Sequence, residues 1–256
     1  MKVALGIEYH GLRFHGWQQQ LNLRTVEEEL TRAVARVANH PVELFCAGRT
    51  DKGVHALGQV VHFETEADRQ DHNWLLGINA FLPADIAVKW ATTVLPSFHA
   101  RFAATARSYC YIIYNHQSRP ACMARQFTWI KYPLSAESMA QAGQYLIGEH
   151  DFSAFRASAC QAKSPIRTIH HLSVHRQGDL IVLKVTANAF LHHMVRNIAG
   201  VLIAIGANEA EPKWALQVLN SRRRDLGGVT ARPDGLYLTK VTYPDDYQLP
   251  AVPVLF

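Results

Sequence analysis

Val3-Ala4-Leu5-Gly6-Ile7-Glu8-Tyr9 sets Val3, Leu5, Ile7 and Tyr9 at every second position, and Thr25-Val26-Glu27-Glu28 follows it with the start of a helix. A side-chain period of two marks a half-buried strand. A Thr with a Glu three residues later fits a capping box. Val26, Leu30, Val34 and Val37 then recur at helical spacing, and Pro41 stops the helix. Residues 42–47 and 59–64 read as strands, with a polar loop between them. A second helix over residues 73–81 ends before Pro83, and residues 86–94 read as a strand. The order of elements is β-α-β-β-α-β.

The order repeats further along. Tyr109, Tyr111 and Ile113 alternate in a strand over residues 107–115. Ser135 can cap a helix carrying Met139, Ala142, Tyr145 and Leu146. Strands over 168–176 and 180–187 are joined by the turn Gln177-Gly178-Asp179. A helix covers 193–205, and another starts near Pro212, a residue suited to the first helical position. Residues 235–243 form the last strand. Two split βαβ units in tandem predict an α+β protein: two ferredoxin-like halves with largely antiparallel sheets and an active-site cleft between them. The predicted divisions are 1–100, 101–243 and an extended tail over 244–256, which holds three prolines.

The chain has 256 residues, 48% of them hydrophobic and 18% charged, an ordinary globular composition with enough length for a sizeable core. No apolar run is long enough to span a bilayer, and the first residues lack a signal-peptide core, so a cytoplasmic protein with no membrane partner is expected. Cys46, Cys110, Cys122 and Cys160 form no Cys-x-x-Cys pair, which argues against structural zinc and for free thiols in a reducing compartment. Lys and Arg exceed Asp and Glu by 26 to 21, a net charge of +5. Such an excess suits a polyanion, because each neutralised phosphate releases counterions. Arg32 and Arg36 lie one helical turn apart, and Arg222-Arg223-Arg224 is a run. Each could equally be a solvated face.

Gly48-Arg49-Thr50-Asp51-Lys52-Gly53-Val54-His55 is the densest polar segment, held at both ends by strands. Glycines relax backbone geometry and functional loops sit on such scaffolds, although Asp51 could simply cap a turn. Tyr109 and Tyr111 share a strand face, as core residues or as a stacking surface for a base. Arg196 lies among Phe190, Met194, Val195 and Ile198, where an arginine needs a carboxylate or must snorkel to water. His192 and His193 are adjacent and point apart on a helix, so they do not form a two-histidine metal face. The chain carries no Gly-x-Gly-x-x-Gly, Walker loop or nucleophile elbow, which argues against nucleotide cofactors and acyl transfer.

Four motifs together resemble the tRNA pseudouridine synthase A family. They are Ala47-Gly48-Arg49-Thr50-Asp51-Lys52-Gly53-Val54-His55-Ala56; Phe98-His99-Ala100-Arg101-Phe102 leading into Arg107-Ser108-Tyr109-Cys110-Tyr111; Ala187-Asn188-Ala189-Phe190-Leu191-His192-His193-Met194-Val195-Arg196-Asn197; and Gly235-Leu236-Tyr237-Leu238. They occur in family order over nearly the whole chain. Lys52 stands where bacterial members usually carry alanine. The resemblance implies a substrate uridine on the 3′ side of the tRNA anticodon stem-loop, at positions 38–40. It implies that Asp51 is needed to break the C1′–N1 bond, after which the uracil turns and rejoins through C5. It implies that Tyr109 stacks on the target base, that Arg196 pairs with the aspartate, that Arg49 contacts RNA and that Leu236 lines the substrate site. It also implies a homodimer that uses no cofactor and no metal.

Elementary chemistry accommodates these roles. The isomerisation moves no hydride or phosphate, a flipped base needs an aromatic surface, and basic residues hold phosphates. Asp51 could attack a carbon or remove a proton from the ribose. Two other readings compete. A non-catalytic module could bind single strands on two ferredoxin-like sheets, but it gives no reason for an anion in an RNA groove and no RNP-type motif is present. A small-molecule enzyme with a carboxylate base would leave the basic clusters unexplained.

Overall fold

Strand β1, Lys2–Tyr9, pairs antiparallel with β3, His55–Glu64, on one side and with β4, Ile86–Val94, on the other in the computed structural model, which describes residues 1–250. Val3, Leu5 and Ile7 are buried, as their alternation predicts. Ala4 and Gly6, on the opposite face, are buried too, so β1 is covered on both sides and is not half-buried. Small side chains make that possible. A Cβ on Gly6 would stand 2.1 Å from Trp90 Nε1, because the indole of β4 lies over the glycine.

Helix α1, Val26–Ala38, begins as the capping box predicts: Thr25 Oγ1 accepts a hydrogen bond from Glu28 N at 3.4 Å. Glu27, Glu28 and Glu29 in its first turn favour the positive end of the helix dipole. Val26, Leu30, Ala33, Val34 and Ala38 form its buried stripe. Burying each valine or leucine contributes roughly 1.5–3 kcal/mol. The helix stops at Asn39, which adopts the left-handed conformation. Helix α2 spans Asp71–Phe81 and buries Trp74 and Ile78. Strand β2 is only Phe45–Cys46, shorter than the predicted 42–47, and pairs antiparallel with β3.

In the second half, β5, Ala106–Asn115, pairs antiparallel with β9, Leu180–Ala187. Strand β9 pairs with β8, Ile166–Gln177, and β8 with β7, Gly148–Asp151, again antiparallel. Gly178 turns the β8–β9 hairpin at φ +58°. A three-residue strand, β6 at Thr128–Ile130, runs parallel to β5. Helix α3, Ala136–Gln144, is capped by Ser135, whose hydroxyl accepts from Ser138 N at 3.1 Å. Helix α4 is Met194–Gly206 and helix α5 is Trp214–Ser221, so Pro212 lies in the turn before α5 rather than inside it.

Chain packing defines two units among the described residues: Met1–Thr105 with those from Tyr237 onward, and Ala106–Leu236. Both are α+β with largely antiparallel sheets. The last strand, β10 at Leu236–Thr242, comes at the end of the second half in sequence, yet its Tyr237 and Leu238 pair in parallel with His55 and Ala56 of β3. Gly58 lets the two backbones approach, since a Cβ there would stand 2.3 Å from Thr239 O. Hydrogen-bond partners, not chain order, assign this strand. Of the predicted tail, residues 244–250 contain a short 3-10 turn at Asp245–Tyr247, and the Tyr247 ring meets Phe98 edge-on at 5.1 Å. Residues 251–256 lie outside the described residues.

Candidate active site

The loop between β2 and β3 carries Arg49 exposed, Thr50 buried, Asp51 half-buried and Lys52 exposed. Hydrogen bonds hold its backbone. Gln59 Nε2 donates to Gly48 O at 2.6 Å, Trp17 N donates to Thr50 O at 3.0 Å, and Val54 N closes a turn onto Asp51 O at 3.1 Å. Gly53 follows at φ +81°, a conformation that glycine adopts without strain. The Tyr9 hydroxyl and Thr50 Oγ1 share a hydrogen bond of 2.7 Å. Asp51 thus follows a residue held in place by the core and is itself half-buried.

The segment after β1 completes the support, and sequence reasoning passed over it. Residues 10–17 run beneath the loop. A Cβ on Gly11 would stand 2.0 Å from Val54 O, and one on Gly16 would stand 2.7 Å from Thr50 O. Gly11 N donates to His55 Nδ1 at 3.1 Å, and the fully buried His55 ring stacks on Tyr237 at 4.5 Å and meets His10 edge-on at 4.6 Å. Burial pushes the His10 imidazole below its ordinary value, with Asp85 opposing and Arg13 adding to the shift. The signal that could have shown this support was two glycines five residues apart immediately after a strand.

The second unit carries the other predicted residues. Tyr109 and Tyr111 share one face of β5 but differ in role. Tyr111 is fully buried; its hydroxyl bonds with Thr128 Oγ1 at 2.6 Å and donates to Arg232 O at 2.9 Å, which makes it a core residue. Burial raises its phenol well above the ordinary range. Tyr109 is 9% exposed, and its ring meets Phe190 edge-on at 4.9 Å. Arg196 lies in the first turn of α4, half-buried, with Nε donating to Ala231 O at 2.8 Å. Leu236 is 5% exposed at the start of β10.

The basic clusters separate on inspection. Arg224 is tied inward: its Nη2 donates to Asn197 Oδ1 at 3.0 Å and to Thr230 Oγ1 at 2.9 Å, and its Nη1 to Gly228 O at 2.9 Å. Arg223 pairs with Asp225 at 2.6 Å, Arg222 with Asp151 at 3.5 Å, and Arg32 with Glu29. Arg36 lies over the Phe81 ring at 5.2 Å. Within the run 222–224, Arg224 is thus tied inward, whereas Arg222 and Arg223 keep exposed side chains, each beside an aspartate.

Chemically, the loop presents a carboxylate on a rigid base. Such a group can attack an electrophilic carbon or accept a proton. The exposed Arg49 two residues away can meet a phosphate, because guanidinium suits phosphate geometry.

The family described as tRNA pseudouridine synthase matches residues 6–103 and 142–244. A tRNA pseudouridine synthase A from Nitrosococcus oceani is 58% identical over 250 residues, covering 98% of this chain and 96% of that one. One from Tolumonas auensis is 54% identical over 254 residues, covering 99% and 97%. One from Salmonella paratyphi B is 53% identical over 253 residues, covering 99% and 94%. With more than half of its residues shared over nearly its whole length, and with the Asp51 loop inside the first matched stretch, this chain belongs to the tRNA pseudouridine synthase family of isomerases.

Proposed function

We propose that this enzyme converts uridine to pseudouridine at positions 38–40, on the 3′ side of the tRNA anticodon stem-loop, with Asp51 as its catalytic carboxylate. The observation that carries the reading is the Asp51 loop. A half-buried aspartate stands beside a buried Thr50 that is fixed by Tyr9 and Trp17, in the motif by which the chain resembles its family. Asp51 promotes cleavage of C1′–N1; the freed uracil turns, C5 bonds to C1′ and gives up its proton, and N1 takes one up, so the composition of the nucleotide is conserved. Tyr109 stacks on the target base, which must leave the helix stack to be reached. Arg49, Arg196 and Leu236 bind the substrate, Arg49 through phosphate. The enzyme acts as a homodimer in the cytoplasm; among the described residues, no helix is long and apolar enough to cross a membrane.

Incubation with unmodified tRNA followed by mapping of pseudouridine tests the reading. The wild type should modify positions 38–40. Asp51→Asn keeps the side-chain volume and removes the charge, so it should abolish product while tRNA binding and folding survive. Turnover by Asp51→Asn near the wild-type rate would remove Asp51 from its role, and product at other positions would move the target.

A further inference from the structure

We propose that Arg101 and Phe102 form a second contact surface for the substrate RNA, in which the Phe102 ring stacks on an unpaired base and the Arg101 guanidinium takes an adjoining phosphate. The proposal rests on the reading that the chain binds tRNA, and it adds a surface that the reaction at Asp51 does not use.

The turn after β4 is held from several sides. Lys2 Nζ donates to Pro96 O at 2.7 Å and to Phe98 O at 2.9 Å. Ala100 N donates to His62 Nδ1 at 3.1 Å, and the Tyr243 hydroxyl donates to Ala100 O at 2.7 Å. His99 Nδ1 accepts from Arg101 N at 3.1 Å and from Phe102 N at 3.4 Å, while Ala103 N donates to His99 O at 2.9 Å. Phe98 and Ala100 are fully buried as anchors. What this fixed turn presents is the Phe102 ring, 76% exposed, beside an exposed Arg101.

The two outward side chains form one surface. The Arg101 guanidinium lies 5.6 Å from the centre of the Phe102 ring, and the His99 ring lies 4.3 Å from it. His99 in turn stands 5.5 Å from Phe45 of β2, the strand that leads directly into the Asp51 loop. Burial pushes the Cys46 thiol up to about 12, with Glu27 adding to the shift and the charges of Arg49 and Arg101 opposing it. Two exposed arginines and an exposed aromatic thus flank the strand that enters the loop. A largely exposed phenyl ring gains little for folding, and a turn this constrained loses little entropy when it binds. A base offers a π-face to the ring, and its phosphate offers charge to the arginine. A protein partner would call for a broader apolar area than one ring between an arginine and a histidine.

The test measures tRNA affinity of the full-length protein across a salt series. Phe102→Ala should weaken binding about fivefold to a hundredfold, the range for loss of one stacked base. Phe102→Leu should behave like Phe102→Ala, because it keeps apolar volume but not the π-face, and Phe102→Trp should retain affinity. Arg101→Ala should lower the salt slope by about one, whereas Phe102→Ala should leave the slope as it is. Wild-type affinity in Phe102→Ala, with a thermal melt showing intact fold, would overturn the surface. So would a change of sedimentation in place of a change of affinity, which would make Phe102 part of a face between protein chains. Pseudouridine formation by the wild type, measured alongside, separates the outcomes: product with an unaffected Phe102→Ala removes only this surface, whereas no product removes the functional reading itself.

Discussion

The Tyr9 hydroxyl and Thr50 Oγ1 share a buried hydrogen bond of 2.7 Å, which joins the end of β1 to the residue preceding Asp51. The bond is buried, with Tyr9 4% and Thr50 8% exposed. Tyr9→Phe leaves the Thr50 hydroxyl without this bond and should destabilise the fold by about 1–3 kcal/mol. It should also lower kcat roughly tenfold to a hundredfold, because small displacements of a reacting group are expensive in rate. The affinity for tRNA should change little. Thr50→Val should do the same, and the double variant Tyr9→Phe/Thr50→Val should recover stability but not kcat. Urea denaturation and single-turnover kinetics on all three variants check this. Full additivity of the two stability losses would show that the pair is not coupled.

Gly16 and Gly178 both have positive φ, +94° and +58°, but only Gly16 faces a wall. A Cβ on Gly16 would stand 2.7 Å from Thr50 O, whereas nothing lies within 4 Å of one on Gly178. Gly178→Ala should therefore lose only about 1 kcal/mol of stability and keep full activity. Gly16→Ala must also push the Asp51 loop aside, so its activity should fall by more than its stability predicts. Thermal melts set beside initial rates decide it. Equal behaviour of the two variants would mean that the loop tolerates displacement.

Tyr109→Ala should weaken productive binding by about 1–3 kcal/mol if its ring receives a base. Tyr109→Phe keeps the ring and should lose much less. The Phe190 ring, edge-on at 4.9 Å, supports Tyr109 and should show a smaller effect on truncation. Single-turnover rates against enzyme concentration give the comparison. Equal silence of both Tyr109 changes would place it with Tyr111 in the core.

Much of the fold is legible because punctuation is. Strands β4 and β9 match the predicted 86–94 and 180–187, bounded by Pro83 and Gly178, and the Thr25 and Ser135 caps mark α1 and α3. Strands β6 and β7 are too short to show a period, and Gly148-Glu149-His150-Asp151 carries no apolar alternation at all. The double burial of β1 is hidden because Ala4 and Gly6 bear too little side chain to pattern. The parallel pairing of β10 with β3 joins residues far apart in the chain, which no local signal records. At the site, glycines and charge single out the Asp51 loop. The buttress beneath it shows only as the glycine pair Gly11 and Gly16, which matters through the carbonyls it approaches, while Tyr9 reads as one more core position.

Burial pushes the His62 imidazole down to about 4, with repulsion from His99 and Lys2 added and Glu64 opposing. His62 must therefore stay neutral in the folded state, where its Nδ1 accepts from Ala100 N. The folded value lies below the ordinary 6.5, so the unfolded chain binds the proton first. The stability contributed by neutral His62 is fully present above about pH 6.5 and is lost as pH falls toward 4. The loss approaches about 1.4 kcal/mol for each pH unit within that window. His99 and His10 are also shifted down by burial and add to the slope. Chemical denaturation between pH 7.5 and 4.5 should show this decline, and His62→Asn should flatten it by about one proton. An unchanged slope in His62→Asn would assign the loss to the other histidines.

Arg224 and Arg49 should part company in a salt titration. Asn197 is 1% exposed, and its Oδ1 accepts from Arg224 Nη2 at 3.0 Å and from the Thr230 hydroxyl at 2.7 Å, while its Nδ2 donates to Phe155 O at 2.8 Å. Arg224→Ala removes one donor from this network and leaves the Gly228 carbonyl without its bond. It should destabilise the protein by about 1–3 kcal/mol. Its effect on the salt dependence of tRNA binding should be small, since its guanidinium is already committed inward. Arg49 is exposed beside Asp51, and Arg49→Ala should lower the salt slope by about one while leaving the melting temperature near that of the wild type. If Arg224→Ala reduced the slope and spared stability, the run 222–224 would be part of the RNA surface after all, and its internal hydrogen bonds would have to open on binding.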